Sequence, residues 1–207
     1  MKVGIVDYGM GNLRSVYKAL EQIGVDSEVT SDYKSIKRFD KLLLPGVGHF
    51  KQGVENIKKL NLYDSIKEFV EIKKRPIIGI CLGMQLLAKK SEEGFEDGFG
   101  WIEADIVKFK VGDELKYKIP HMGWNTLRFD SRNSIFYGIS ELDEFYFVHS
   151  YYANINDKSQ ILAYTTYEKE FVSAVQRNNI IGFQFHPEKS HLSGKKLLTN
   201  CIAKDYV

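Results

Sequence analysis

Cys81 stands in a pattern that is typical of catalytic nucleophiles. It lies in Gly79-Ile80-Cys81-Leu82-Gly83, after a short apolar run and before a stretch with helical spacing. A nucleophile between a strand and a helix sits on a sharp turn, which glycines two positions before and after it allow. The first N–H groups of the following helix point at the sulfur and favour the thiolate. We therefore predict that Cys81 is a nucleophile and that Cys201, in an apolar helical stretch, is a packing residue.

His186 and Glu188 are the candidates for the base that a thiol nucleophile needs and for the group that orients this base. They end an apolar run and stand two positions apart. In an extended backbone this spacing puts both side chains on the same side, and Pro187 holds the intervening φ in a compatible range. One segment is thus expected to supply both groups.

Neither a metal site nor a nucleotide site is predicted. The sequence has five histidines without H-x-x-x-H spacing, and its two cysteines do not form a C-x-x-C motif. Gly9-Met10-Gly11 begins like a dinucleotide-binding loop, but Arg14 stands where the third glycine belongs, and no Walker lysine follows. We expect no cofactor.

Short apolar runs and amphipathic stretches alternate in the first half of the chain and must position these residues. The predicted strands are Lys2–Asp7, Val25–Thr30, Lys41–Leu44 (stopped by Pro45) and Pro76–Ile80. The predicted helices start after Asn12 as the N-cap, within Leu60–Ile72, and at Met84–Lys89. Strands that are apolar throughout, separated by helices, indicate a parallel sheet that is covered on both faces.

From about Phe95 the pattern changes to closely spaced strands, which predict antiparallel hairpins added to the sheet. These strands are Ile106–Lys110, Phe145–His149, Ile161–Tyr167, Phe171–Gln176 and Ile180–Phe185, followed by a closing helix near Ser193–Ala203. The predicted fold is α/β: an open, mostly parallel sheet with helices on both faces and an antiparallel extension. Ligands bind outside the carboxyl ends of the strands in such sheets, which is where Cys81 is expected.

The length and composition limit the number of domains and the classes of binding partner. The 207 residues predict a single domain spanning 1–207. The 29 Lys and Arg balance 27 Asp and Glu to a net charge of +2, which argues against binding to nucleic acid or to a membrane surface. No apolar run approaches the ~20 residues of a membrane span, and the first residues lack the apolar region of a signal peptide. A cytoplasmic location is expected.

Several of these motifs together resemble a known family. Gly-Ile-Cys-Leu-Gly-Met-Gln at 79–85 and Gln-Phe-His-Pro-Glu at 184–188 are similar to the class I, triad-type glutamine amidotransferases, a flavodoxin-like α/β family. Pro45-Gly46-Val47-Gly48 fits the oxyanion loop of that family. Longer motifs at 7–12, 120–125, 146–151 and 186–190 resemble a narrower group, the glutaminase subunits of imidazole glycerol phosphate synthases.

The resemblance implies an enzyme that hydrolyses L-glutamine to glutamate and ammonia through a thioester. The implied catalytic residues are Cys81, His186 and Glu188. The implied oxyanion donors are backbone N–H groups of Val47, Gly48 and Leu82, and the amino acid end of glutamine would be held by Gln85, Glu93, Ser150 and Tyr151.

The resemblance also implies a heterodimer with a (β/α)8-barrel cyclase/synthase subunit of histidine biosynthesis. Ammonia in neutral water is mostly ammonium, which is not a nucleophile, so a partner docked over the site would receive it through a dry passage. The residues expected to face this partner are Asn12, Pro120, His121, Met122, Trp124, Asn125, Tyr146 and Lys189. Among them, Pro120–Asn125 is expected to form a surface loop.

Other functions stay open at this stage. A paralogous glutaminase could supply a sugar-amidinating, synthase-like partner in surface-polysaccharide biosynthesis, and Phe145–Tyr151 and Ser190-His191 resemble that branch somewhat. A catalytically silent scaffold is disfavoured because Cys81, His186 and Glu188 are all intact. A stand-alone cysteine hydrolase of this fold would not need the 120–125 motif.

Overall fold

A twelve-stranded mixed sheet organises residues 1–203, the part of the chain that the computed structural model describes. Its centre consists of parallel strands in the order β2-β1-β3-β4-β14. These strands are β1 (Lys2–Val6), β2 (Asp26–Thr30), β3 (Lys41–Gly46), β4 (Ile77–Cys81) and β14 (Ile180–Phe183). Every residue of β3, β4 and β14 is buried, as expected for strands that are covered on both faces.

Helices pack on both faces of the parallel strands. They are α1 (Leu13–Gln22), α2 (Phe50–Lys59), α3 (Leu62–Lys67), α4 (Leu82–Leu86) and α5 (His191–Ala203), and α3 continues as a π-helical turn at Glu68–Ile72. Leu43 shares an apolar cluster with residues of α1 and α5, whereas Leu42 and Leu44 share another with residues of α2 and α3. This alternation along one strand confirms the predicted layers. As predicted, Asn12 caps α1, and its side chain accepts from the Ser15 N–H at 3.3 Å.

Local predictions fail at two points near Cys81. β3 continues through Pro45, which pairs with Ile80 of β4, so Pro45 does not end the strand. The β1–β3 ladder stops at Leu43, so Pro45 has only one strand neighbour in the described chain and its missing N–H is tolerated. The helix predicted at Met84–Lys89 ends at Leu86, because Ala88–Ser91 forms β5 against a strand later in the chain. Tertiary pairing overrides the local helical spacing there.

The antiparallel extension continues the sheet in the order β14-β13-β11-β7-β5-β6, with β12 on β13 and β9 on β12. These strands are β5 (Ala88–Ser91), β6 (Glu96–Asp97), β7 (Ile102–Lys108), β9 (Arg128–Phe129), β11 (Tyr151–Ile155), β12 (Ile161–Tyr167) and β13 (Lys169–Arg177). The predicted strands Ile161–Tyr167 and Phe171–Gln176 correspond to β12 and β13, and the predicted Ile106–Lys110 overlaps only the end of β7. The strands β5, β6, β9 and β11 are absent from the sequence prediction. Ile180–Phe185 is not part of the extension, because β14 lies parallel to β4 and joins the central sheet.

A separate two-stranded ribbon is formed by β8 (His121–Thr126) and β10 (Glu144–His149). The antiparallel register pairs His121 with His149 and Trp124 with Tyr146. Pro120–Asn125 is therefore mostly strand, and the prediction of a loop is wrong. The strand predicted at Phe145–His149 is confirmed but lies outside the main sheet. Helix α2 is also absent from the sequence prediction, although Phe50, Val54 and Ile57 have helical spacing and are buried.

Short 3₁₀ turns connect these elements at Tyr33–Arg38, Ser134–Phe136, Lys158–Gln160 and Pro187–Lys189. No helix within residues 1–203 has the length and apolar character needed to cross a membrane.

Candidate active site

Cys81 sits on a strained turn between β4 and α4. Its φ of 53° and ψ of −107° fall where L-residues are rare. The turn requires glycines on both sides. A Cβ on Gly79 would lie 2.7 Å from the Gly83 backbone, and a Cβ on Gly83 would lie 1.7 Å from the Leu44 carbonyl oxygen. The predicted elbow geometry is therefore present, and close backbone contacts explain both glycines.

His186 and Glu188 lie in hydrogen-bond contact with each other. His186 Nδ1 is 2.8 Å from Glu188 Oε1, and each side chain is 2% exposed. Glu188 belongs to the 3₁₀ turn Pro187–Lys189, which His186 caps. The assumed extended backbone is thus wrong, although the predicted pairing of the two side chains is present. A carboxylate only accepts, so Nδ1 carries a proton. Within residues 1–203 Nε2 has no hydrogen-bond partner and remains available to Cys81.

The charge of His186 depends on its two neighbours. Burial on its own lowers the pKa of His186. The Cys81 sulfur and the Glu188 carboxylate act in the opposite direction, and together they raise the pKa from 6.5 to about 10. The imidazole is therefore protonated at neutral pH and can pair with a thiolate.

Gln184 is a polar neighbour of the nucleophile that the sequence analysis did not single out. It is fully buried, and its Nε2 donates to Cys81 Sγ at 3.8 Å. Cys81 Sγ also lies 3.9 Å from the Val148 carbonyl oxygen, and Cys81 is 6% exposed. The signal in the sequence is a glutamine between Phe183 and Phe185, since a polar residue in an apolar run needs a buried partner.

A cavity of about 330 Å³ opens beside Cys81. It gathers all the residues predicted for the oxyanion and for substrate: Val47, Gly48, Leu82, Gln85, Glu93, Ser150 and Tyr151. Pro120, Val148 and His149 complete the wall, whereas His186 and Glu188 are not part of it. A larger groove of about 800 Å³, between Asp130 and Arg177, contains none of these residues.

The loop after β3, which is predicted to bind the oxyanion, packs against the loop after β1. Gly48 has a φ of 111°, and a Cβ there would meet Met10 at 2.8 Å. A Cβ on Gly46 would lie 2.0 Å from the hydroxyl of Tyr8, a fully buried residue. That hydroxyl has no hydrogen-bond partner among the residues that the structure describes. Burial, followed by the proximity of Cys81, raises the pKa of Tyr8 well above 10. The neutral Tyr8 side chain therefore packs behind the elbow, a position that sequence spacing does not indicate.

Gln85 and Glu93 have partners that fix them at the cavity wall. The Gln85 amide donates to the Tyr151 carbonyl oxygen at 3.2 Å and to Gln184 Oε1 at 3.1 Å. Glu93 Oε2 accepts from the Phe50 N–H at the start of α2, at 2.8 Å. Both side chains are therefore held by neighbouring elements.

Most residues predicted to face a partner lie on one surface around the ribbon. The Trp124 ring stacks on His191 with centroids 4.9 Å apart, and it meets Tyr146 edge-on at 5.7 Å. Lys189 Nζ lies 5.5 Å from the Tyr146 ring. His191 is an addition that was not predicted.

The remaining partner-facing predictions give mixed results. Met122, Pro120 and Asn12 are exposed, and Asn125 is half-buried. His121 is 3% exposed, so its side chain does not lie on this surface. It points inward because β8 alternates, with its even-numbered residues facing outward.

Comparison with known proteins identifies the class. Residues 4–204 match the family described as "Glutamine amidotransferase class-I". The chain belongs to this family of glutamine-using enzymes, in agreement with the predicted fold and enzyme class. A solved structure described as "Crystal structure of glutamine amidotransferase" superposes with a TM-score of 0.74 over 97% of each chain, at 18% identity. At that identity the likeness concerns the fold alone.

Particular relatives are more similar in sequence. The chain is 50% identical to "Imidazole glycerol phosphate synthase subunit HisH 2" of Methanococcus maripaludis, over 97% of this chain and 98% of the relative. It is 44% identical to the protein of the same name in Pseudomonas aeruginosa, over 96% of this chain and 97% of the relative. "Imidazole glycerol phosphate synthase subunit HisH" of Aquifex aeolicus is 46% identical over 97% of this chain and 95% of the relative.

Proposed function

We propose that this chain is the glutaminase subunit of an imidazole glycerol phosphate synthase. It hydrolyses L-glutamine at Cys81 and passes the ammonia to a cyclase subunit in histidine biosynthesis. The observation that carries the proposal is one cavity at Cys81 that contains every residue predicted for the oxyanion and for glutamine, with the His186–Glu188 pair next to it. Full-length similarity to subunits of that name supports the choice of pathway.

The first half of the reaction forms a thioester. The Cys81 thiolate attacks the side-chain amide carbon of glutamine, and the carbonyl oxygen becomes an oxyanion. The His186 imidazolium gives its Nε2 proton to the amide nitrogen, the C–N bond breaks, and ammonia leaves. Glu188 accepts from Nδ1 throughout, which fixes the tautomer and stabilises the cation.

The second half releases glutamate. Neutral His186 takes a proton from water at Nε2, and the resulting hydroxide equivalent attacks the thioester carbon. The C–S bond breaks, glutamate leaves, and Cys81 returns as a thiolate beside protonated His186. The raised pKa of His186 suits this resting ion pair.

Backbone N–H groups stabilise the oxyanion in both halves. Leu82 N–H lies in the first turn of α4, where an amide has no partner within the helix. Val47 and Gly48 line the same cavity as Leu82. One such donor contributes on the order of 10²–10³ in kcat. Gln85, Glu93 and the Ser150-Tyr151 backbone, which line the same cavity, then hold the amino acid end of glutamine.

The partner is a (β/α)8-barrel subunit that docks on the surface around Trp124, Tyr146 and Lys189. Exposed apolar surface supports this position, since Met122 is 62% and Trp124 is 43% exposed beside the cavity. The comparisons lend no support to the alternative of a sugar-amidinating partner in surface-polysaccharide biosynthesis.

Reconstitution tests the proposal. The chain is mixed with the barrel cyclase of imidazole glycerol phosphate synthase from the same genome, and product formation is followed with glutamine or ammonium salt as the nitrogen source. We expect a stable heterodimer that uses both. Glutamine-dependent turnover only with a synthase-like subunit of a polysaccharide gene cluster would instead identify the alternative.

We also propose that residues 1–207 fold as one glutaminase domain that acts in the cytoplasm. Two apolar clusters that each join residues from distant parts of the chain support a single folding unit. A single cooperative unfolding transition by calorimetry is the expected result, and two separate transitions would contradict it.

A further inference from the structure

Two buried histidines, His121 and His149, link the ribbon to the wall of the glutamine cavity, and the mechanism above does not use them. They are 3% and 6% exposed, and His121 Nδ1 lies 3.1 Å from His149 Nε2. His149 lines the cavity. Two adjacent buried imidazoles require a defined arrangement of protons, because a buried polar group without a partner is unfavourable.

The direction of every hydrogen bond in this cluster follows from one carbonyl. The Tyr151 carbonyl oxygen only accepts, so His149 Nδ1–H donates to it at 2.7 Å. His149 Nε2 must then accept from His121 Nδ1–H. His121 Nε2 in turn accepts from the Asn125 amide nitrogen, 3.4 Å away. The series of hydrogen bonds therefore runs from the Asn125 amide through both rings to the Tyr151 carbonyl oxygen.

Each ring carries a single proton in this arrangement, so both histidines are neutral. The surroundings agree, because burial lowers the pKa of His121 to about 4. Burial is the main cause that lowers the pKa of His149, the Tyr151 carbonyl acts against it, and nearby His121 and His186 add to the lowering; together they bring the pKa to about 3. Protonation of either ring would replace an acceptor with a donor and break one of these hydrogen bonds.

The inner end of this series of hydrogen bonds reaches Cys81. The Tyr151 carbonyl oxygen accepts a second hydrogen bond, from Gln85. Gln85 also donates to Gln184, whose amide donates to Cys81 Sγ. With both lone pairs occupied, the Tyr151 carbonyl is held from the ribbon side by His149 and from the elbow side by Gln85.

The outer end of this series of hydrogen bonds lies on β8, the strand that carries the proposed interface. Along β8, Met122 and Trp124 are exposed, while His121 is buried and the Asn125 amide also donates to the Thr166 carbonyl at 2.9 Å. A shift of β8 on docking therefore moves Asn125 and His121, the first two donors in the series.

We propose that Asn125, His121 and His149 form a relay of positioning residues that couples partner docking on β8 to the Tyr151 carbonyl in the glutamine cavity. His149 fixes this carbonyl and, through it, Gln85. His121 transmits the position of β8 to His149. The coupling to a partner rests on the proposed function, whereas the positioning of Tyr151 by His149 requires only that the chain bind glutamine.

The inner link is tested in the isolated chain. In His149→Asn the amide nitrogen takes the place of Nδ1 and keeps a donor for Tyr151, whereas His149→Leu removes it. We expect His149→Leu to raise the KM for glutamine about tenfold with kcat changed less than about threefold, and His149→Asn to recover most of the loss. An unchanged KM in His149→Leu, or equal losses in both variants that still unfold cooperatively, would overturn the positioning role.

The outer link is tested in the heterodimer with His121→Phe and His121→Asn. The measured quantity is the ratio of glutaminase rates with and without the bound barrel subunit. We expect His121→Phe to lower this ratio about tenfold, and His121→Asn, which keeps a donor near Nδ1, to preserve most of it. Size-exclusion chromatography of the mixture reports whether the subunits still assemble.

The outcomes separate the relay from the proposed function. A wild-type ratio in an assembled His121→Phe heterodimer would overturn the coupling. If the barrel subunit does not stimulate even the wild-type chain, the proposed partner and the coupling both fail. In that case, His149→Leu and His149→Asn still test whether His149 positions the Tyr151 carbonyl.

Discussion

His186 is the residue on which the chemistry of the site depends most closely. Its Nδ1 is bonded to Glu188, so proton exchange in the proposed mechanism occurs at Nε2, with the Cys81 sulfur as a neighbour of the ring. One ring can therefore act first as an acid and then as a base without reorienting. The two side chains of the pair are almost completely buried, which keeps water from competing for either group.

The nucleophile assignment is tested by Cys81→Ala in the heterodimer. We expect glutamine-dependent turnover to fall by on the order of 10⁴-fold or more, because no other group near the cavity can form the thioester. Turnover with ammonium salt should persist, since it bypasses Cys81. Cys201→Ala, at a cysteine buried in α5, is the matched control and should retain both activities. Loss of both activities in Cys81→Ala would show a structural role.

Glu188→Gln tests the origin of the raised His186 pKa. Loss of the carboxylate removes a group that raises it, so the pKa of His186 should fall from about 10 and kcat should drop by roughly 10²–10⁴. NMR titration of the imidazole nitrogens measures the first effect directly. An unchanged pKa would mean that Cys81 alone sets the charge.

The same shift predicts how stability depends on pH. The folded-state pKa of His186 lies above the ordinary 6.5, so its protonation contributes fully to stability below pH 6.5. This contribution is lost as the pH rises towards about 10. In Glu188→Gln the total loss should be smaller and should be complete at lower pH, as measured by denaturant unfolding across this range.

At the scale of elements, the elbow depends on how closely β3 approaches the first turn of α4. Gly83 lies against the Leu44 carbonyl, and backbone cannot move aside as a flexible side chain can. The strained Cys81 conformation is thus maintained by the packing of the parallel strands and α4 rather than by local sequence preference.

Gly83→Ala should therefore destabilise the fold strongly. A Cβ 1.7 Å from a carbonyl oxygen forces the backbone apart, and we expect a loss of at least ~3 kcal/mol in the free energy of unfolding. Denaturant titration of the isolated chain measures this loss.

Gly53→Ala is the matched control for that experiment. Gly53 lies within α2, and its new Cβ would make only ordinary contacts, the nearest at 3.4 Å from Leu82. Alanine in a helix should be neutral or stabilising by about 0.5–1 kcal/mol. Equal losses in the two variants would contradict the contact argument.

At the scale of the whole molecule, an aromatic surface beside the cavity is the proposed site for a partner. Trp124 is amphipathic, partly exposed and fixed by its stack on His191. Such rigid aromatic side chains dominate binding energies at interfaces. The near-neutral charge of +2 agrees with a protein partner rather than a polyanion.

Trp124→Ala should weaken the heterodimer by about 10–100-fold in Kd without unfolding the chain. Isothermal titration with the barrel subunit measures the affinity. Ile72→Ala is the control, because Ile72 is 70% exposed before the start of β4, at the opposite end of the strands from Cys81. Equal affinities of Trp124→Ala and wild type would place the partner elsewhere.

Much of this protein follows from the sequence alone. Apolar runs and amphipathic stretches predict the covered parallel sheet, because burial on both faces excludes polar residues from those strands. The glycines around Cys81 predict the elbow, since only they permit the close backbone approach. Both features can be predicted from short segments, because apolar residues and glycines there mark where close packing is required.

Other features were decided by tertiary structure, because they depend on which distant segments meet. Ala88–Ser91 becomes a strand because of its pairing with β7, and Pro45 stays within β3 because β1 has ended. His121 looked like a surface residue, yet the register of the ribbon places its ring against His149. The sequence by itself determined the chemistry that Cys81 and His186 can perform. Only the folded chain determined which polar groups support that chemistry, because a buried hydrogen bond joins residues far apart in sequence.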